Sequence, residues 1–277
     1  MSEILLVDDD GTTRHLVRGL LEAEGFSITT ASDGLEALER FRIKAFDLIL
    51  VDVWMPRMTG LDLLHRLGAE GFAPRVVVMT SDDTPETLLG ALKEQAHRFL
   101  RKPVDPRELV ELVRAVIDAK PASRPIQVLS ARPNWVELLV PCEVQSAERI
   151  QALLSRLDAD LPEDVREAVG TAFRELLMNA IEWGGQLDPG RDVRIAYLRA
   201  RRMVLYRIAD PGKGFRFENL RHSALANATE QSFEHIQVRD EQGLRPGGFG
   251  LLMTRALVDE LIYNEAQNEV VFVKYLD

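Results

Sequence analysis

The stretch "LILVDVWMPRMTGLDLL", from Leu48 to Leu64, carries a carboxylate, Asp52, at the end of an apolar run that breaks at Pro56 and Gly60, with a second, Asp62, beyond the turn. A short run of aliphatic residues bounded by turn formers reads as a fully buried parallel strand. Ligands of open α/β sheets gather at the carboxyl ends of such strands. Asp52 is therefore placed either for chemistry or to cap the following helix. Its neighbours in the chain decide between the two.

Working outward, the same unit recurs. "EILLVDD" precedes "TRHLVRGLLEAEG", and "FSITTA" precedes "SDGLEALERFRIK", with Ser32 as the expected N-cap. "DLILVD" leads to "GLDLLHRLGAE", "RVVVMTS" to "TPETLLGALKEQ", and "RFLRK" to "DPRELVELVRAVIDA", where Pro106 suits a first helical turn. Five strands alternating with five helices predict a doubly wound parallel sheet covered on both faces. Asp8 and Asp9 then end the first strand, Asp52 the third, Thr80 the fourth and Lys102 the fifth. All five fall on one rim. Converging carboxylates repel and call for a cation, for which a hard, oxygen-ligated Mg²⁺ is the natural guest. With Mg²⁺ and Lys102 neutralising charge, a carboxylate can attack phosphorus, and Thr80 offers a hydroxyl to a phosphoryl oxygen.

The 277 residues are enough for two domains, and 46% hydrophobic with 28% charged residues is a globular composition. The net charge of −10 is shared: 21 acids face 15 bases up to residue 120, and 23 face 19 thereafter. With no basic cluster in either half, direct nucleic-acid binding is not expected. One cysteine, Cys142, excludes an intrachain disulfide and fits a reducing cytosol. No apolar stretch approaches the length of a membrane span, and "MSEILLVDDD" lacks a basic leader, so a cytoplasmic protein with no membrane segment is expected.

Residues 1 to 119 resemble the receiver domain of two-component response regulators, with a flavodoxin-like fold. The resemblance implies that Asp52 accepts a phosphoryl group from a cognate sensor histidine kinase. It implies that Asp9 and Asp52 ligate Mg²⁺, that Asp8 holds it through water, and that the Trp54 carbonyl completes the site. Thr80 and Lys102 would read the phosphoryl group, and Phe99 would be the aromatic switch or a plain core residue. The Lys102–Pro103 bond is commonly cis in this family.

"KPASRPIQVLSARPN", residues 120–134, holds three prolines and reads as a linker, with room for a short extended piece at "IQVLS". Beyond it, "WVELLVP" reads as a strand and "EVQSAERIQALLSRL" as an amphipathic helix. "PEDVREAVGTAFRELLMNAIEWGG" is a longer helix, "RDVRIAYLRA" and "RMVLYRIADPG" an antiparallel pair, "LLMTRALVDEL" a helix and "NEVVFVKYL" a strand. This order predicts an α+β sandwich, a mixed sheet with helices on one face. Glu175 and Asn179, four apart, share a helix face. "DPGKGF" sets Asp210 at a strand end, with Gly212 and Gly214 permitting close backbone approach. "RPGGFGLLMTRAL" sets Gly248 and Gly250 at a helix start, where free N–H groups favour phosphate.

In their order and spacing these boxes resemble the GHKL ATPase fold of histidine kinases, gyrase-type ATPases and anti-sigma serine kinases, over residues 135–277. The resemblance implies that Asn179 ligates the Mg²⁺ of ATP and that Asp210 accepts the adenine amino group. Gly212 and Gly214 would line the base, Gly248 and Gly250 would hold phosphates, Glu175 would be the base, and residues 215–246 would form a lid. Pro246 replaces the first glycine of the usual second box, and Trp183 stands where the serine-kinase branch often has histidine. No room exists for a histidine-bearing dimerisation hairpin, and the five histidines all fall in the receiver or the lid. The leading expectation is a response regulator whose output domain binds Mg·ATP and phosphorylates or sequesters a partner, with a serine or threonine of a small antagonist domain as substrate. A non-catalytic ATP-dependent clamp on a sigma factor or other partner, and a histidine kinase acting on a separate protein, remain as rivals. Homodimerisation is left open.

Overall fold

A computed structural model describes residues 2–82, 84–119, 124–132, 134–214 and 250–276. The chain divides into two units, residues 1–121 and 122–277. Three separate facts define the first unit: the expected alternation, its register, and its caps. Strands β1 (Glu3–Val7), β2 (Ser27–Ala31), β3 (Leu48–Asp52), β4 (Arg75–Thr80) and β5 (Arg98–Arg101) alternate with helices α1 (Gly11–Ala23), α2 (Gly34–Ile43), α3 (Gly60–Ala69), α4 (Pro85–Lys93) and α5 (Pro106–Asp118). The sheet order is β2-β1-β3-β4-β5, and every pair is parallel.

Parallel strands covered on both faces must be apolar throughout, and β3 is buried at all five positions. Ile4, Leu6, Leu48, Leu50, Val77 and Met79 pack against Val17 and Leu21 of α1 and Leu109, Val113 and Val116 of α5. Leu5, Val7, Ile49 and Val51, pointing to the other face, are equally buried. Short polar side chains start the helices. Asp10 accepts from Thr12 N at 2.9 Å, Asp105 from Arg107 N at 2.8 Å, and Thr59 from Asp62 N at 3.1 Å. The cap of α2 is Asp33 rather than Ser32. Ser32 instead donates its backbone N–H and its hydroxyl to Glu36, at 2.9 and 2.8 Å.

The second unit carries β6 (Gln127–Arg132), β7 (Trp135–Pro141), α6 (Val144–Leu157), α7 (Glu163–Asn179), a π-helical turn (Ala180–Gly184), β8 (Asp192–Ala200), β9 (Met203–Ala209), α8 (Gly250–Leu257), β10 (Glu260–Tyr263) and β11 (Glu269–Tyr275). The sheet order is β10-β11-β9-β8-β7-β6. Every pairing in it is antiparallel, so the expectation of a mixed sheet is corrected. The short extended piece expected at "IQVLS" within 120–134 is a full strand of the second unit rather than part of a linker. Gln127–Arg132 pairs with β7 as an edge strand, and Ile126 before it is buried. Proline is compatible with such an edge because it need only precede the strand. Val193, Ile195, Tyr197, Val204, Tyr206, Ile208 and Phe272 form the buried face of this sheet. Phe173 of α7 lies on Tyr206, with ring centroids 5.1 Å apart. Asp158, the C-cap of α6, is buried there too and accepts from both Tyr197 Oη, at 2.8 Å, and Tyr206 Oη. Burial pushes its carboxyl above the ordinary range, against the lowering pull of those hydroxyls and of Arg199.

Candidate functional site

The first site is assembled by the strand ends of the parallel sheet. Asp8 follows β1 and is fully buried, Asp52 closes β3, and Thr80 closes β4, while Asp9 is exposed. Lys102 follows β5, and its Nζ reaches both acids, Asp8 Oδ2 at 2.7 Å and Asp52 Oδ2. The Lys102–Pro103 bond is cis, as the resemblance implied. Asp8 Oδ1 accepts from Asp10 N at 2.9 Å. Asp8 Oδ2 is fully buried and faces the Lys102 ammonium as an ion pair. Trp54 N donates to Asp52 Oδ1 at 3.2 Å.

Carboxylate oxygens of Asp8, Asp9 and Asp52 lie within 4.8 Å of one another. Three acids beside one lysine leave an excess of negative charge, and all the donors are hard oxygens. That set fits an oxygen-ligated divalent cation. Burial pushes the Asp8 carboxyl up, outweighing the opposing pull of Lys102. The same burial would lower the Lys102 ammonium, but the hydrogen bonds and charges of Asp52 and Asp8 hold it above its usual value. Thr80 Oγ1 accepts from Asp82 N at 3.0 Å, which leaves the hydroxyl proton to be donated. Phe99 is buried in β5.

Gly60 is a residue whose role the sequence reading missed. Its N–H donates to Val53 O at 2.9 Å, and a side chain there would run into the Asp52 carbonyl. The turn after β3 is therefore drawn tight under Asp52. A Pro-x-x-x-Gly spacing directly after a strand-end acid was the available signal.

The second site draws on three stretches far apart in sequence. Glu175 and Asn179 occupy the last turns of α7, and the helix then changes to π geometry over Ala180–Gly184, an irregularity frequent at functional sites. Asp210 follows β9, and its Oδ1 accepts from Gly212 N at 2.7 Å. A side chain at Gly184 would strike the Asp210 carboxylate, and one at Gly212 would come within 3.0 Å of the Gly184 backbone. The end of α7 and the first glycine loop are thus in direct contact. Gly250, which opens α8, lies against the Glu175 carboxylate, which a side chain at that position would displace. Gly185 likewise abuts Cys142, whose buried thiol is pushed up to about 11 by desolvation first and by Asp192 next. Gly214 has φ +78° and meets the Ala266 carbonyl, a position only glycine tolerates. Burial raises the Asp210 carboxyl, against the Gly212 N–H and Arg191. Gly248, Pro246 and the expected lid, 215–246, lie outside the described residues.

Comparison with known proteins agrees with this division. Residues 4–114 match the response regulator receiver domain, and residues 141–274 match the histidine kinase-like ATPase domain. The chain is 32% identical over 182 residues to the DNA-binding response regulator MtrA of Mycolicibacterium paratuberculosis, covering 65% of this chain and 79% of that one. It is 36% identical over 117 residues to the CpxR homolog of Haemophilus influenzae, a transcriptional regulatory protein, covering 42% of this chain and 51% of that one. Among solved structures, the receiver domain of NtrX from Brucella abortus matches at 30% identity and a TM-score of 0.40, covering 42% of this chain and 99% of that one. The chain belongs to the response regulators: it has a receiver domain followed by a histidine kinase-like ATPase domain.

Proposed function

We propose that this response regulator is phosphorylated on Asp52 and that phosphorylation controls an ATP-binding, anti-sigma-type serine/threonine kinase domain. The phosphoryl donor is a sensor histidine kinase. An Asp52 oxygen attacks phosphorus, the phosphorus–nitrogen bond of the donor phosphohistidine breaks, and its imidazole leaves. Asp9, Asp52 and the Trp54 carbonyl, with Asp8 behind them, would hold Mg²⁺, which would supply positive charge to the phosphoryl oxygens. Lys102 and the Thr80 hydroxyl orient the group. The observation that supports this half is the buried Asp8–Lys102–Asp52 contact, with three carboxylates in reach of one cation.

In the second domain, Asp210 and the loop of Gly212 and Gly214 take the adenine. Asn179 ligates the Mg²⁺ that accompanies ATP, and Gly248 and Gly250 hold phosphates. Glu175 accepts the proton of an attacking serine or threonine hydroxyl. That oxygen bonds to the γ-phosphorus, and the bond to ADP breaks. The contacts of Gly250 with Glu175 and of Asp210 with Gly184 support this reading, because two stretches far apart in sequence both meet the end of α7 and the turn that follows it. The sequence Pro246-Gly247-Gly248 in place of the usual glycine spacing favours a second reading, a nucleotide-dependent clamp without transfer.

The test is incubation of the protein with ATP labelled on the γ-phosphate and a candidate antagonist domain. An acid-stable, alkali-labile product is the expected result, as for phosphoserine. An acid-labile product indicates histidine transfer, and tight binding without label indicates the clamp. The matched relatives are named as DNA-binding or transcriptional regulators. Here the region after the receiver matches an ATPase domain, so we propose a protein partner rather than nucleic acid.

A further inference from the structure

The turn between β10 and β11, "NEAQN" at 264–268, touches the first glycine loop at several points. Asp210 N donates to the Asn268 carbonyl at 2.8 Å. The Asn268 side chain answers from the other side, with Nδ2 donating to the Gly212 carbonyl at 3.0 Å. Asn264 holds Asn268 in place. Its Nδ2 donates to Asn268 Oδ1 at 2.8 Å, and its Oδ1 accepts from Asn268 N at 3.1 Å and Glu269 N at 3.3 Å. Two residues on, Gly214 is pressed against the Ala266 carbonyl. The loop that carries Asp210 is therefore clamped along its length by one hairpin turn.

From this geometry we infer that Asn268, held by Asn264, is a positioning residue that sets the adenine loop for base recognition. The inference rests on the reading of the second domain as an ATP site. The Asn268 amide bridges two roles that no other side chain of the turn combines in the described structure. It donates to the glycine loop and accepts from its own hairpin, so the loop inherits the rigidity of the β10–β11 ladder. A residue limited to accepting loses the first bond. Asn268→Asp keeps the shape and the bond from Asn264, but sets a carboxylate oxygen against the Gly212 carbonyl oxygen.

The experiment is a calorimetric titration of the full chain with ATP, ADP and GTP, for wild type, Asn268→Asp and Asn264→Ala, alongside thermal melting. Asn268→Asp should weaken ATP and ADP equally, by about tenfold, because the lost contact serves the base and not the phosphates. The preference for ATP over GTP should narrow, which a merely structural role would not cause. Asn264→Ala, exposed and off the glycine loop, should do the same more weakly, and it carries the test if Asn268→Asp does not fold. A wild-type chain that binds no ATP removes the underlying reading and the inference together. Wild-type ATP binding with unchanged affinity and unchanged base preference in both variants overturns the inference alone.

Discussion

Asp52→Asn should abolish phosphoryl labelling of the chain by acetyl phosphate in Mg²⁺, while wild type labels stoichiometrically. The amide keeps the size of the carboxylate, so β3, buried at every position, has no reason to shift. What it loses is chemical. An amide oxygen is a poor nucleophile toward phosphorus, and the change also removes one of three negative groups around the cation. The Lys102 contact survives through Asp8, at 2.7 Å, so the variant should melt near the wild-type temperature. Chelating the divalent cation should abolish wild-type labelling as well. Equal labelling of wild type and Asp52→Asn would place the phosphoacceptor elsewhere.

The second large effect is expected at Asp210. Its Oδ1 is already engaged by Gly212 N, which leaves the other oxygen to accept from the adenine amino group. In Asp210→Asn the side-chain carbonyl must stay with Gly212 N, and the amide then presents a donor to a donor. An unsatisfied buried polar pair of this kind costs about 1–3 kcal/mol, or roughly 5- to 150-fold in ATP affinity. The charge state gives a second readout. Burial raises the Asp210 carboxyl, so a proton that blocks acceptance is retained to higher pH than for an ordinary aspartate. ATP affinity should therefore begin to fall as pH drops through that raised value, and the Asp210→Asn variant should lack this component. Asn179→Ala should instead weaken chiefly the Mg²⁺-dependent part of ATP binding. Calorimetry with and without Mg²⁺ separates the two. Tight ATP binding by Asp210→Asn would contradict the assignment.

The receiver was legible because its chemistry and its periodicity coincide. Each of Asp8, Asp52, Thr80 and Lys102 ends or follows a strand that reads as one, so finding the strands located the rim. The second unit was legible mainly through its glycines, whose spacing marks where backbone approaches backbone. Its edges were not. Strand β6 alternates between exposed and half-buried positions and lies in a proline-rich stretch, so its composition resembled a linker. Strand β10 is four residues long and follows an apolar helix almost directly, and "LVDELIY" supports either period. The π-turn after Asn179 left no mark in a pattern that stays helical. Asn264 and Asn268 were unreadable for a different reason. Asn268 bonds to a loop 56 residues away while Asn264 holds it from within the turn, and asparagines in a turn carry no such signal by themselves.

A phosphoryl group at Asp52 controls the ATPase domain only if some element has two states that the group biases. Couplings of this kind are typically about 1–3 kcal/mol, and they are reciprocal. If phosphorylation changes ATP affinity, ATP must change the phosphorylation equilibrium by the same factor. The measurement that bears on this most directly is calorimetric titration of the full chain with Mg·ATP, with and without beryllofluoride as a phosphoryl mimic, using Asp52→Asn as the unresponsive control. The expected result is a change in ATP affinity of about fivefold or more in wild type and none in Asp52→Asn. Identical ATP affinities in wild type with and without beryllofluoride would show that the two domains are merely tethered, and would contradict the account.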